Sequence, residues 1–254
     1  MGLLSGKVAI ITGGGNETGF GAAIARKFAA EDARILLTDI NESGAANVAA
    51  SIDTTKVKPF AMDVTREADW IRAVKAAEAE FGGLDIVVNN AGTSYRNKPT
   101  LDVTEDEFDL VFTVNVKSIF WSAKHSIPQM QAQGRGGGII NISSVGSLRP
   151  RPGLVWYSSS KAAVSNATKA LASEFGKDQI RVNGICPLLA GTQLFEAFVG
   201  IPDSPENRSE FAKAIPLGRL ADPKDVAEAA AFFAGDGSKF VTGTLLEVDG
   251  GRAI

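Results

Sequence analysis

The chain has 254 residues, of which 44% are hydrophobic and 22% are charged, values typical of a globular protein that argue against disorder and against a coiled coil. A net charge of −3 gives no indication of a nucleic-acid partner, and no apolar run reaches the roughly 18 residues of a membrane helix. One cysteine and one histidine exclude an internal disulfide and argue against a histidine-based metal site, so we expect a cytoplasmic protein with no metal and no membrane partner.

Short apolar runs alternate with longer helical patterns along the chain. The predicted strands are Lys7–Thr12, Arg34–Asp39, Val57–Met62, Leu84–Asn89, Gly138–Ser143, Gln179–Ile185 and Leu245–Val248. The first predicted helix ends near Ala30, and the others are Glu42–Ser51, Arg66–Phe81, Glu105–His125 and Tyr157–Phe175. Fully apolar strand centres indicate burial on both faces. The pattern predicts one α/β domain over residues 1–254, a doubly wound parallel sheet of seven strands with helices on both faces. Leu188–Leu220 is predicted to be a substrate lid with one or two short helices.

A glycine-rich turn, Thr12–Gly21, joins the first strand to the first helix. Glycines allow backbone N–H groups to approach a pyrophosphate, and a helix N-terminus carries partial positive charge. Asp39 ends the second strand 20 residues after Gly19, where a carboxylate binds ribose hydroxyls and repels a 2′-phosphate. The pattern favours NAD over NADP. The alternatives are a turn without a ligand and an Asp39 that caps the next turn.

A second pattern combines Ser144, Tyr157 and Lys161. Tyr157 and Lys161 are four residues apart on a predicted helix and share a face, and Ser144 ends the fifth strand, at the edge of the sheet where α/β proteins bind ligands. An ammonium group near a phenol favours the phenolate, and a serine hydroxyl can hold a substrate oxygen. The alternative is a surface Tyr and Lys on an amphipathic helix.

Over almost its full length the chain resembles the short-chain dehydrogenase/reductase family, whose motifs occur here in the family's order. Besides the residues above, the matching motifs are Asp63-Val64, Asn89-Asn90-Ala91-Gly92, Asn115, Ile142-Ser143-Ser144, Tyr157-Ser158-Ser159-Ser160-Lys161, Arg181-Val182-Asn183, Cys186-Pro187, Val241-Thr242-Gly243 and Val248-Asp249-Gly250-Gly251. The spacing of 13 residues before Tyr157 selects Ser144 over Ser143. The resemblance implies a Rossmann-type domain and an oxidoreductase that uses NAD or NADP.

The resemblance also implies a role for each site residue. Tyr157 is expected to be the general acid/base, with a pKa lowered by Lys161, which also binds the nicotinamide ribose. Ser144 is expected to orient the substrate oxygen, and Asn115 to hold a water for proton relay. The other implied cofactor contacts are Gly13, Asn16, Gly19, Phe20, Asp39, Ile40, Asp63, Val64, Asn90, Gly92, Ala190 and Thr192.

Two features depart from the family pattern. Five residues separate Gly13 from Gly19, two more than usual, which leaves the contact of Asn16 with a phosphate open. Leu188 follows Pro187 where the family usually has glycine, so the pocket can be narrower or the lid displaced.

Substrate contacts are expected from the lid, from the loop after Gly92 and from the segment between Ser144 and Tyr157. The candidates are Ser144, Leu154, Arg96, Arg149 and Phe195, with Arg151 and Phe198 nearby. The arginines suggest a polar or anionic substrate; the alternative is that they are surface residues or pair with acids across subunits.

Three functions remain open on the sequence alone. The first is an NAD-dependent dehydrogenase of a small secondary alcohol, sugar or hydroxy acid. The second is a reductase of 3-oxoacyl thioesters, which Asp39 disfavours because such reductases usually use NADP. The third is a dinucleotide-binding sensor without turnover, which has no need of a proton relay. The resemblance further implies a homotetramer with Glu105–His125 and Tyr157–Phe175 between subunits.

Overall fold

Seven parallel strands form one sheet in the computed structural model, which describes residues 2–53, 55–190 and 195–254. The strands are β1 Val8–Thr12, β2 Arg34–Asp39, β3 Val57–Ala61, β4 Ile86–Asn89, β5 Gly137–Ile142, β6 Ile180–Pro187 and β7 Leu245–Val248. Their order is β3-β2-β1-β4-β5-β6-β7, which confirms the predicted doubly wound sheet.

Helices cover both faces of this sheet. They are α1 Phe20–Ala30, α2 Glu42–Ala50, α3 Glu67–Phe81, α4 Glu105–Phe112, α5 Ser118–Gln133, α6 Val155–Phe175, α7 Phe195–Val199, α8 Pro205–Ala212 and α9 Pro223–Ala234. Alternate residues of β1 belong to two separate hydrophobic clusters, with Ile11 packed in the cluster of Phe28 and Phe233 and Ile10 in the cluster of Trp70. Both faces of the central strand are therefore buried, as its unbroken apolar run predicts.

The position of β1 in the sheet creates the crevice where the site lies. From β1 the chain proceeds outward to β2 and β3, then returns to place β4 on the other side of β1. Loops that leave the carboxyl ends of β1 and β4 consequently diverge, and such a point is where open α/β sheets bind their ligands.

Two helical regions of the structure differ from the prediction. The single helix expected over Glu105–His125 is divided into α4 and α5 by a wider π-helical turn, Thr113–Lys117, and α5 continues through Pro128 to Gln133. Helix α9, which packs against α1 beneath the sheet, was not predicted. In the described ranges, no helix has the length and apolarity needed to span a membrane.

Candidate active site

The turn between β1 and α1 leaves backbone N–H groups available at a helix start. The residue that precedes α1, Gly19, has no side chain, and no side-chain hydrogen bond caps the helix within the described chain. Gly13 has a φ of 70°, and a Cβ there would lie 2.8 Å from the Cα of Ala91. The close packing and the uncapped N–H groups fit a bound pyrophosphate, because donors and partial positive charge converge on one point.

Asp39 at the end of β2 closes this turn. Its Oδ2 accepts a hydrogen bond from Gly15 N at 2.7 Å, and its Oδ1 accepts one from Asn41 N at 2.8 Å. Asp39 therefore does cap the turn, as the alternative interpretation held. A carboxylate has about four acceptor positions, so two remain for ribose hydroxyls. The next side chain, Ile40, is 76% exposed beside it and brings no positive charge.

The extra residues of the turn form a local structure of their own. Asn16 Oδ1 accepts hydrogen bonds from the backbone N and the hydroxyl of Thr18, both at 3.1 Å, and Asn16 O accepts one from Gly19 N at 2.9 Å. Glu17 pairs with Arg26 at 2.9 Å. The longer turn is therefore held by its own hydrogen bonds and by Arg26 of α1, and the Asn16 side chain packs beside Gly19 at the start of that helix.

Residues that follow β3 and β4 complete the predicted cofactor surface. Asn90 Nδ2 donates to the carbonyls of Thr12 at 2.8 Å and Gly13 at 2.9 Å, which ties the end of β4 to the glycine turn. Asp63 Oδ1 accepts from the backbone N and the hydroxyl of Thr65, and Val64 is buried. The structure therefore brings Asn90 to the turn and leaves Asp63 in a turn of its own after β3.

Ser144 and Tyr157 meet over the carboxyl end of β5. Ser144 Oγ accepts a hydrogen bond from Gly146 N at 3.0 Å, and Ser144 and Tyr157 line the same cavity. Burial raises the pKa of Tyr157 to about 12, although the interaction with Ser144 acts in the opposite direction. At neutral pH the phenol is protonated, so in this form Tyr157 is a proton donor.

Lys161 lies one helical turn after Tyr157 and is buried. Its Nζ donates a hydrogen bond to the carbonyl of Ile142 at 2.9 Å, and burial lowers its pKa to about 8. The expected lowering of the Tyr157 pKa by Lys161 is therefore wrong for the protein without cofactor. The cost of burying the phenolate exceeds every favourable interaction there, and the ammonium group is held by a strand-end carbonyl.

Asn115 lies in the π-helical turn and is buried beside Gly92. Its Nδ2 donates to Thr93 O at 2.9 Å and to Ser160 Oγ at 3.0 Å, and its Oδ1 accepts from Thr93 N at 2.8 Å. A Cβ at Gly92 would lie 3.2 Å from Lys161 Nζ and 3.3 Å from Asn115 Oδ1. The amide oxygen keeps one acceptor position, next to the lysine.

A cluster of buried serines fixes α6 against β5. Ser143 Oγ donates to Lys161 O at 3.0 Å and lies 2.7 Å from Ser165 Oγ, which in turn bonds Ser147 at 3.0 Å. These hydrogen bonds fix the position of α6, which carries Tyr157 and Lys161, relative to β5, which leads to Ser144.

A cavity of about 320 Å³ opens onto these groups. Phe20, Asn90, Gly92 and Ala190 line it on the cofactor side. Leu154 and Leu188 line it on the substrate side, together with Phe198, whose ring centroid lies 5.0 Å from that of Tyr157. Leu188 therefore forms part of the pocket wall. Thr192 lies outside the described residues.

Of the candidate substrate residues Arg149, Arg96 and Phe195, one lines the cavity and two do not. Arg149 lines the cavity. Arg96 pairs with Glu196 at 2.7 Å, and Phe195 is fully buried under the lid; neither is among the residues that line the cavity. Arg96 is therefore an ion-paired surface residue, as the alternative interpretation held. Phe198, and not Phe195, lies at the cavity, because α7 buries the side chain of its first residue and directs that of its fourth residue toward the cavity.

The capping role of Tyr95 and the presence of Phe211 and Arg252 at the cavity were not predicted. The Tyr95 hydroxyl accepts a hydrogen bond from Trp156 N at 3.0 Å, which caps the start of α6. Phe211 of α8 and Arg252 line the cavity. Tyr95 lies in the loop after Gly92, from which substrate contacts were expected. No spacing in the sequence links Arg252 to the other site residues.

Comparisons with known proteins agree with this geometry. A family model described as enoyl-(acyl carrier protein) reductase matches residues 13–253. The 4-formylbenzenesulfonate dehydrogenase of Comamonas testosteroni is 49% identical over 99% of each chain. A 3-oxoacyl-[acyl-carrier-protein] reductase of Chlamydia muridarum is 37% identical over 99% of each chain.

Among solved structures, the 3-ketoacyl-(acyl-carrier-protein) reductase of Brucella melitensis complexed with NADH superposes with a TM-score of 0.92 at 40% identity. The match covers 99% of this chain and 100% of that one. Identity at this level over whole chains, together with the Ser144, Tyr157 and Lys161 constellation on a doubly wound sheet, shows that the chain is an oxidoreductase homologue and belongs to the short-chain dehydrogenase/reductase family.

Proposed function

We propose that this protein transfers a hydride between NAD and an alcohol or carbonyl substrate, with Tyr157 as the general acid/base. The observation that carries the proposal is that Ser144, Tyr157 and Lys161 line one cavity, at the edge of the sheet that also bears the uncapped α1 and Asp39. Nicotinamide supplies the carbon that accepts or gives the hydride when the cofactor is bound.

Each residue of this chain has a distinct task in that reaction. Ser144 holds the substrate oxygen, and Tyr157 donates its proton to that oxygen during reduction or accepts it during oxidation. The cation of Lys161 favours the phenolate, and the nicotinamide ribose is its expected partner. Asn115 fixes Thr93 and Ser160 and presents its free acceptor position beside Lys161 for a proton-relaying water.

The substrate we favour is a small alcohol or carbonyl compound with an apolar body. The Comamonas relative is named for an aryl aldehyde, and the apolar wall of Leu154, Leu188 and Phe198 suits an aromatic or short aliphatic group. The second candidate is a 3-oxoacyl thioester, which the names of the Chlamydia and Brucella reductases favour. A panel of aryl aldehydes, secondary alcohols, sugars and acetoacetyl thioesters, followed by NADH absorbance, separates the two candidates. Cofactor binding without turnover of any compound would favour a sensor.

We expect NAD to be preferred over NADP, because Asp39 is an anion where a 2′-phosphate would lie. Replacing Asp39 with Ala and Ile40 with Arg removes the repulsion and adds a charged donor. A hydrogen bond to a charged group contributes about 1.5–3 kcal/mol, so the ratio of kcat/KM for NADP to that for NAD should rise roughly tenfold or more. Steady-state kinetics with both cofactors measure this ratio.

Because Asp39 also holds the glycine turn, Asp39→Asn is the matched control. It removes the charge and keeps one acceptor for Gly15 N or Asn41 N. A higher kcat/KM with NADP in the unmodified protein would contradict the role given to Asp39.

We propose in addition that the protein is a cytoplasmic homotetramer. Its cysteine is a buried free thiol, as suits a reducing compartment. Leu110 of α4 and Phe120 of α5 are more than half exposed, which an intersubunit contact would cover. Light scattering that gives the mass of a monomer at micromolar concentration would contradict the tetramer.

A further inference from the structure

Three arginines lie at the substrate end of the active-site cavity. Arg149, Arg151 and Arg252 all line it, and among the described residues that line the cavity there is no aspartate or glutamate. The segment after Ser144 supplies two of the guanidinium groups, and the end of the chain supplies the third. A cavity lined by these three arginines and by Lys161, with no acidic side chain in its lining, is electrostatically suited to an anionic ligand.

Arg149 has a structural task that brings the third arginine to the cavity. Its Nη1 donates to the backbone oxygens of Arg252 at 2.6 Å and Ile254 at 3.3 Å. The carboxylate of Asp249 accepts from Gly251 N and Ala253 N, so it is used within the same terminal turn. Arg149 is therefore a positioning residue that fixes the segment on which Arg252 lies.

Among the described residues, Arg151 has no counter-ion. Its guanidinium group lies 5.3 Å from the centre of the Phe211 ring, and in the described chain no carboxylate pairs with it. Burial, with the nearby charge of Arg252, lowers the pKa of Arg151. By contrast, Arg96, Arg135 and Arg219 each form an ion pair at 2.6–2.7 Å. A partly buried, unpaired cation beside a second cation is costly unless a ligand supplies the missing anion.

We propose that Arg151 and Arg252 bind a carboxylate or similar oxyanion that belongs to the substrate itself. The carbonyl group of this substrate then lies at Ser144 and Tyr157, and its apolar body lies against Leu154, Phe198 and Phe211. This inference rests on the proposed hydride transfer and specifies the substrate class. The planar donor edge of a guanidinium matches two oxygens at once, and the Phe211 ring holds the plane of Arg151 in place.

A pair of aldehydes that differ only in charge tests the proposal. The probes are 4-formylbenzoate and its neutral analogue 4-formylbenzamide, each assayed for NADH oxidation and, separately, titrated calorimetrically into the NADH-loaded protein. The variants are Arg151→Gln, Arg252→Gln and the double variant, which keep polar side chains in place. Arg34→Ala is the control, because it removes one positive charge at the opposite end of β2, outside any ion pair described in the structure.

We expect the unmodified protein to prefer the benzoate by tenfold or more, which corresponds to about 1.4 kcal/mol. Each single variant should reduce that preference severalfold, the double variant should abolish it, and the control should keep it. A preference below twofold in the unmodified protein, or one that survives in the double variant, would overturn the proposal. If neither aldehyde is reduced, the panel of alcohols, sugars and thioesters decides the hydride-transfer proposal, and the calorimetric preference still decides the anion site.

Discussion

Replacing Tyr157 with Phe is expected to lower kcat about 100- to 10,000-fold in both directions, the range that general acid–base catalysis contributes. The variant keeps the ring, and the contact of this ring with Phe198 at 5.0 Å is apolar, so the pocket wall should be preserved. What disappears is the Tyr157 hydroxyl, whose proton is exchanged with the substrate oxygen in the proposed reaction.

The measurement is single-turnover reduction with the best substrate of the panel, accompanied by NADH titration through fluorescence. The dissociation constant for NADH should stay within about threefold of the original value, because the lost hydroxyl makes few cofactor contacts. Retention of more than a tenth of the original turnover would show that Tyr157 is not the acid/base. Ser144→Ala should be milder, since a backbone group or water can partly replace its hydroxyl.

The ionisation of Tyr157 makes the two directions differ in their need for the cofactor. A phenol with a pKa of about 12 is a ready proton donor at neutral pH, so reduction starts from the correct form. Oxidation needs the phenolate, and its formation has to be favoured by the charge of Lys161 and of the oxidised nicotinamide ring, which is a cation. We therefore expect the lowered Tyr157 pKa inferred from the sequence only in the enzyme with its cofactor bound.

The strands and the catalytic constellation could be predicted because local signals were sufficient for them. Apolar runs such as residues 86–88 have no polar face and must be buried, and four-residue spacing alone puts Tyr157 and Lys161 on one face of α6. The π-helical turn at Asn115 could not be predicted, because it depends on distant partners: the amide reaches Thr93 and Ser160. No helical pattern encodes that requirement.

Helix α9 was missed although its signals are present. Asp222 and Asp225 form a capping box at its start, and Pro223 stands at its first turn, both recognisable features of a helix N-terminus. No element was predicted between Leu220 and Leu245. Two residues of the arginine cluster, Arg149 and Arg151, could be named from the sequence because they are close to Ser144 along the chain. Arg252 could not, because only the tertiary structure brings it to the cavity.

Replacing Lys161 with Met should abolish turnover and at the same time stabilise the protein. The lysine is 5% exposed, and among the described residues its ammonium group has one hydrogen-bond partner, the carbonyl of Ile142. Burial lowers its pKa from 10.5 to about 8. Because one pKa unit corresponds to 1.36 kcal/mol, the buried charge costs about 3 kcal/mol at neutral pH.

The sign of the pH dependence follows from that depressed value. Below pH 8 the lysine is charged in both the folded and the unfolded chain, so the full cost is present. Between about pH 8 and 10.5 the folded form loses its proton first, and the native protein gains stability relative to the variant. The methionine variant should therefore be more stable by about 1–3 kcal/mol at pH 7, after allowance for the unpaired Ile142 carbonyl, and the difference should shrink as pH rises.

Urea unfolding of both proteins at pH 7 and pH 9.5 measures this difference. The matched control is Lys169→Met, an exposed lysine two turns further along α6, whose replacement should change stability by less than about 0.5 kcal/mol at either pH. NADH binding by Lys161→Met should weaken, in contrast to Tyr157→Phe, because this lysine is the expected partner of the nicotinamide ribose. The interpretation would be contradicted by a variant that is less stable than the original at pH 7. It would also be contradicted by a difference in the free energy of unfolding that does not change with pH, because the buried charge of Lys161 would then not destabilise the fold.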